Sequence, residues 1–535
     1  MAAKKVAVIG AGCSGLTAIK CCLDEGLTPV CFERRAYIGG LWHYTDEVTD
    51  DQACVMKSTV INTSKEMTAF SDYPMPAEFP NYMHNRYLQR YFNMYADHFG
   101  MRKHIKFRTE IVRISKTKDF AETGRWDITV KDVDSGKESS DVYDAILICT
   151  GHHASKKVPK FEGDEEFQGK IMHSHDYRKP AGFEDKRAIV VGIGNSGLDT
   201  AVELARHTSQ TFLSTRRGAW VGHRVWKDGH PFDMIETTRL NKFLWEVLPN
   251  NLMCSMEERK LQKWFRHENY DLKPSHRINA QHPSVNDDLP NRVSSGDIVV
   301  KPDIRRFTKT GVEFVDGTFE DNIDVVVLAT GYYFGFPFID KDILEVKDNK
   351  ADLYKMVFPA HLEKPTMAVI GYVQPVGSIM PAAELQCRWA TRVFKGAAKV
   401  PSRSAMLDEI QNRRREMGSR YVESTRHTIQ VDWIPYMDEI AEQIGCKPDL
   451  KKILFSDPVL ALKMFFGPCT PYQYRIEGPV PWSGARQAIM GQWDRCIPVN
   501  KDGRNFRRPD KEENNTFFYA VAAVLIAIFF YLFFM

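Results

Sequence analysis

The chain has 535 residues, 43% hydrophobic and 26% charged, the balance of a folded body of roughly three or four domains. A formal charge of +3, with no basic stripe interleaved with aromatic residues, argues against a nucleic-acid partner. Eleven scattered cysteines without a Cys-x-x-Cys pair argue against a disulfide framework and the usual dithiol relay, and no metal site is expected.

In chain order, Met1–Lys5 does not read as a signal peptide but runs straight into the apolar stretch Val6-Ala7-Val8-Ile9. Gly10-Ala11-Gly12-Cys13-Ser14-Gly15 follows, with the spacing of a strand, a tight turn and a helix start. Such a turn points backbone N–H groups and a helix N-terminus at a pyrophosphate. Glu33 stands eighteen residues past Gly15, closing the predicted strand Pro29–Phe32. A carboxylate there accepts a hydrogen bond from a ribose 2′-hydroxyl and repels a 2′-phosphate, so this turn is expected to hold FAD, or NAD. Gly39-Gly40-Leu41-Trp42 is a loop able to approach a cofactor closely. Val60-Ile61-Asn62-Thr63-Ser64 leads into a proline- and aromatic-rich loop from Tyr73 to Tyr82, and Arg125–Val130 alternates like a strand.

The signature then repeats. Ala188-Ile189-Val190-Val191 precedes Gly192-Ile193-Gly194-Asn195-Ser196-Gly197, with Leu198 and Asp199 opening the next helix. Thr215 now occupies the position eighteen residues on, within Ser214-Thr215-Arg216-Arg217. Hydroxyls and guanidinium groups suit a 2′-phosphate, so the second turn is expected to hold NADPH. A second echo supports an internal repeat: Asp144–Gly151 resembles Asp324–Gly331, each at a similar distance after its own turn. Between about 218 and 295 the pattern becomes helical, rich in Trp, His and Arg. Met406–Glu423 reads as a charged, solvated helix.

The expected architecture is α/β with two dinucleotide-binding, Rossmann-like domains. The FAD domain (1–155 and 332–445) is split by an NADPH domain (156–217 and 296–331), which carries a helical insertion (218–295). A membrane-proximal region (446–510) and an anchor (511–535) complete it. The anchor expectation rests on Phe517–Met535, nineteen uncharged residues. As a helix they nearly span a hydrocarbon core of about 30 Å. Arg504, Arg507, Arg508 and Lys511 form the flank expected on the cytosolic side.

Phe167-Gln168-Gly169-Lys170-Ile171-Met172-His173-Ser174-His175-Asp176-Tyr177 fits F-x-G-x-x-x-H-x-x-x-Y, placed just before the second turn. That pattern resembles the fingerprint of flavin-containing monooxygenases, and Leu328-Ala329-Thr330-Gly331-Tyr332 resembles the family's second linker motif. Asn62-Thr63-Ser64-Lys65-Glu66-Met67 and Ser214–Trp220 also look like the vertebrate microsomal members. Cys13 stands where valine is common, and His43 where many members carry arginine. Gln281-His282-Pro283 resembles the fifth mammalian isoform, a Baeyer–Villiger-type enzyme.

The resemblance implies FAD and NADPH as cofactors. Gly10–Gly15, Glu33, Gly40, Leu41, Trp42, Asn62 and Thr63 would bind FAD. Ile61, Asn62, the Gly192–Asp199 turn and Ser214–Arg217 would bind NADPH. Asn62 would be the catalytic residue, hydrogen-bonded to the cofactors near the reacting oxygen. The implied reaction uses NADPH and O2 to form a C4a-hydroperoxyflavin, which oxygenates soft nitrogen or sulfur nucleophiles of xenobiotic or metabolic small molecules. Baeyer–Villiger oxidation of ketones is the alternative. An NADPH oxidase, a quinone reductase or a membrane-tethered flavoprotein scaffold are lesser readings. The expected location is the endoplasmic reticulum membrane, with the catalytic body facing the cytosol and a homodimer compatible with the family. Histidine and tyrosine at 173 and 177, and His282, carry no role that the residues alone assign.

Overall fold

A computed structural model of the chain describes residues 3–50, 52–226, 229–424 and 427–496. In chain order the elements that position the site are β1 (Lys5–Ile9), α1 (Cys13–Asp24), β2 (Thr28–Phe32), β3 (Ile105–Lys106), β4 (Ala145–Ile148), β5 (Lys170–His173), β6 (Arg187–Val191), α2 (Asn195–Leu204), β7 (Gln210–Ser214), β8 (Ile298–Lys301), β9 (Val325–Leu328) and β10 (Met367–Val369). β1, β4, β6 and β9 are unbroken Val/Ile/Leu/Ala runs apart from the first residues of β1 and β6. Such runs cannot alternate inward and outward, and they form strands covered on both faces in a parallel sheet.

Two five-stranded parallel sheets result, in the orders β10-β4-β1-β2-β3 and β8-β7-β6-β9-β5. They share a plan. The strand before each glycine turn is central, the strand after the helix lies on one side, and the late echo strand lies on the other. Val6–Ile9 thus pairs with Ala145–Ile148 as Ala188–Val191 pairs with Val325–Leu328. A three-stranded antiparallel layer, 109–116, 126–132 and 138–143, lies between β3 and β4 in the chain and is pinned by the fully buried Trp126. Ser155–Lys156 and Tyr332–Tyr333, from the two connections between the sheets, pair antiparallel. Helices Phe232–Glu236, Arg239–Val247 and Asn250–Trp264 fall between β7 and β8. The helix Ile379–Lys395, buried along most of its length, packs on α1 and closes the first sheet's core.

The expected fold class is corrected on one point. Among the described residues no helix is long and apolar enough to cross a membrane. The segment 511–535, on which the anchor was expected, lies outside the described residues. A transmembrane helix is therefore not part of the described fold. The charged helix expected over Met406–Glu423 runs from Arg403 to Arg420.

Candidate active site

At the first turn, Gly10 takes φ +97°, and a Cβ on Gly15 would lie 1.8 Å from the Gly10 carbonyl oxygen. Only glycine permits that approach of helix to strand. Gly12 occupies the N-cap of α1 and offers no side-chain acceptor, and the first turn carries no acidic residue, so the helix N-terminus has no anion of its own. Gly39 N–H donates to the Ala11 carbonyl at 3.0 Å. Gly40 then meets Gly12 so closely that a Cβ on it would lie 3.2 Å from the Gly12 Cα. Two side-chain-free loops thus face one another beside a helix N-terminus, an arrangement that fits a pyrophosphate-bearing group. Leu41 and Trp42 are half-buried beside them.

Glu33 is buried. Its Oε2 accepts the Ala11 N–H at 2.8 Å and its Oε1 the Arg35 N–H at 2.9 Å. Burial pushes its carboxyl above the ordinary carboxylate range, and the two N–H donors partly offset this. Each oxygen keeps a further lone pair for an outside donor.

The second turn repeats the glycine geometry. Gly192 takes φ +110°, and a Cβ on Gly197 would lie 2.0 Å from the Gly192 carbonyl oxygen. Gly194 is the N-cap of α2, again without a side-chain acceptor. The surroundings differ. Ser284 Oγ donates to the Ile193 carbonyl at 2.7 Å, and Asn195 Oδ1 accepts from Val285 N–H at 2.9 Å. Asp199 accepts from Asn286 Nδ2 at 2.9 Å, and burial pushes its carboxyl up to about 6. Residues 284–286, near the end of the helical insertion, therefore brace this turn. Leu198 is buried in the second core, and Ser196 is exposed. Ser214 Oγ donates to the Pro302 carbonyl, and Thr215 Oγ1 accepts the Gly218 N–H at 3.1 Å. Both hydroxyls hold the strand end, while Arg216 and Arg217 stand in solvent, with the Asp303 carboxylate near Arg216.

The stretch 54–64 links the two halves. Thr200 Oγ1 on α2 donates to Met56 Sδ, and Lys57 N–H donates to the Arg178 carbonyl. Ile61 N–H donates to the Met83 carbonyl at 2.9 Å, and Thr63 Oγ1 meets Thr68 Oγ1 at 2.8 Å. Asn62 Oδ1 accepts from the guanidinium of Arg224 at 2.5 Å. The same guanidinium donates to the Val60 and Ile61 carbonyls and pairs with Asp287 at 2.8 Å. Arginine is only a donor, so the amide oxygen must face it and the amide N–H groups must point away. Arg224 lies 162 residues from Asn62 in the chain. Sequence reasoning missed it because no local spacing signals such a pairing.

His173 receives a geometric account. Its Nδ1 accepts the His175 N–H at 3.0 Å, so Nε2 carries the hydrogen and donates to the Gly331 carbonyl at 3.1 Å. Burial lowers it to about 4 and keeps it neutral. It stitches the fingerprint strand β5 to the connection leaving the second sheet. Tyr177 is buried, with its phenol raised by burial and by the neighbouring Glu203. His282 Nδ1 accepts from Gln430 Nε2 at 2.9 Å.

The Flavin-binding monooxygenase-like family model matches residues 3–533. "Flavin-containing monooxygenase 5" of Cavia porcellus is 50% identical over 503 residues, covering 94% of each chain. "Dimethylaniline monooxygenase [N-oxide-forming] 2" of Rattus norvegicus is 49% identical over 496 residues, covering 92% of each chain. Among solved structures, the S-allyl-L-cysteine S-oxygenase from Allium sativum superposes with a TM-score of 0.64 at 22% identity, covering 92% of this chain and 98% of that one. With two glycine turns on paired parallel sheets and an asparagine loop held between them, the chain belongs to the flavin-binding monooxygenase family.

Proposed function

We propose that the first turn, with Glu33, Gly40, Leu41, Trp42, Asn62 and Thr63, binds FAD. The second turn, with Ile61, Asn62 and Ser214–Arg217, binds NADPH. When bound, the flavin supplies the redox chemistry, taking hydride from NADPH and activating O2 for transfer of one oxygen atom to a small molecule. The chain's part is to bind, orient and screen. Glu33 accepts the hydrogen bond of an unphosphorylated ribose. Arg216 and Arg217 meet a 2′-phosphate, which accounts for a preference for NADPH over NADH. Asn62 presents its amide N–H groups to the reacting side without titrating, because Arg224 fixes the orientation of the amide.

The observation that carries this reading is the grip of Arg224 on Asn62, in a stretch that also touches α2 through Met56. The substrates follow as soft nitrogen or sulfur nucleophiles. Incubation with NADPH, air and one thioether tests this, with sulfoxide formed in step with NADPH consumed. Peroxide without sulfoxide from every thioether tried would contradict it. Ketone oxygenation is the second reading, attached to His282 and its contact with Gln430. One linear ketone in the same assay separates the two readings by product. Residence at the endoplasmic reticulum and a homodimer enter from the resemblance alone, and fractionation and mass photometry of the full chain test them.

A further inference from the structure

We infer that Asp233, in the short helix Phe232–Glu236, is a positioning residue that holds the Asn62 loop in its working geometry. The inference rests on the function proposed above. Three contacts carry it. Asp233 Oδ2 accepts the Ser64 N–H at 2.7 Å, two residues beyond Asn62. Its Oδ1 faces the Tyr82 hydroxyl at 3.4 Å. That hydroxyl also donates to the backbone carbonyl of Arg224, the residue whose side chain grips Asn62. One carboxylate therefore touches the chain just past Asn62 and, through Tyr82, the backbone of the arginine that fixes it.

Its partners set this group, like Glu33 and Asp199, apart from the carboxylates that pair with arginine. Asp438 pairs with Arg239, Glu384 with Arg475 and Glu66 with Arg495. Asp233 instead has the Ser64 amide as its donor, with the Tyr82 hydroxyl 3.4 Å from its other oxygen. Taking a carboxylate out of water without a cation is costly, and a carboxylate serving packing alone gains more from a counter-ion. The cost shows in the carboxyl itself, which burial pushes up to about 6. A loop that must keep an amide aimed at reacting atoms is where such a cost is repaid, since a displacement of about 1 Å there lowers rate by orders of magnitude.

The test compares wild-type holoenzyme with Asp233→Asn in two arms. In hydrogen exchange without NADPH, the peptide containing Ser64 is expected to lose protection while peptides of β1 and β6 are unchanged. In turnover, H2O2 released per NADPH is expected to rise about fivefold with flavin content kept and KM for NADPH within about twofold. A merely structural role would lower flavin content or stability and leave that ratio alone. Equal protection and equal coupling would overturn the inference. If Asp233→Asn is recovered without flavin, Tyr82→Phe carries the test. It is expected to give the same two changes at smaller size, and no change would overturn the inference. Wild type that consumes no NADPH would overturn the proposed function instead, with the exchange arm still deciding Asp233.

Discussion

The two glycine turns share one skeleton and differ at the rim. Both place glycine at positive φ, +97° and +110°, and both bring a second glycine so near the first that a Cβ would lie about 2 Å from a carbonyl oxygen. The floor of each is therefore dictated by the strand–turn–helix crossing. At the rim of the first, Glu33 is buried and both its oxygens are engaged by backbone N–H groups. At the rim of the second, Arg216 and Arg217 stand in solvent. A recognition group already desolvated and oriented loses little on binding, which suits a resident group. Exposed guanidinium groups attract and release a phosphate as counter-ions do, which suits a cofactor that comes and goes. On the proposed assignment, one scaffold used twice would serve retention at the first turn and exchange at the second.

The largest expected effect contrasts the turns directly. Gly15→Ala sets its Cβ 1.8 Å from a backbone oxygen. The variant should be recovered with flavin absorbance reduced at least about tenfold. Gly197→Ala meets a 2.0 Å contact in the other turn. It should stay yellow yet fail to bleach with NADPH, and colourless Gly197→Ala protein would break the contrast.

Next comes the residue held between the turns. Asn62→Ser should still consume NADPH, but product per NADPH should fall about fivefold with H2O2 appearing in its place. Unchanged coupling would remove Asn62 from the account. A smaller effect sharpens the rim assignment. Arg216→Ala should raise KM about tenfold for NADPH and less than about twofold for NADH. An equal rise for both would mean that Arg216 does not read the 2′-phosphate.

The smallest effect concerns the stitch between the halves. Burial lowers His173 from 6.5 to about 4 in the folded chain. Between those pH values the unfolded chain binds a proton that the folded chain does not, so stability falls as pH drops through the window. His173→Gln should flatten the loss of Tm between pH 7 and pH 5 by about 1–3 °C. Asp199 works with the opposite sign, its raised carboxyl favouring the folded state on acidification from about 6. A steeper loss in His173→Gln would contradict the assignment.

What was legible in the sequence follows from chain distance. The glycine turns, Glu33 and the strands around them are short-range patterns, set by a few consecutive residues. The parallel neighbours of β1 and β6 were legible only as an echo, because Ala145–Ile148 and Val325–Leu328 are similar runs at similar offsets. The site's supports were not legible. Arg224 and Asp233 reach the Asn62 loop across 162 and 169 residues. In the sequence they are two charges in a helical, aromatic stretch, indistinguishable from solvated ones. The role of His173 was equally hidden, since it depends on which ring nitrogen accepts the His175 N–H.

The most direct test of a retained flavin beside an exchanging NADPH is an anaerobic titration of exhaustively dialysed protein, followed by flavin absorbance. The account predicts that the protein remains yellow after dialysis and bleaches fully with one equivalent of NADPH, while NADH at the same concentration bleaches it far more slowly. Flavin lost to the dialysate, or equal bleaching by the two nucleotides, would contradict it.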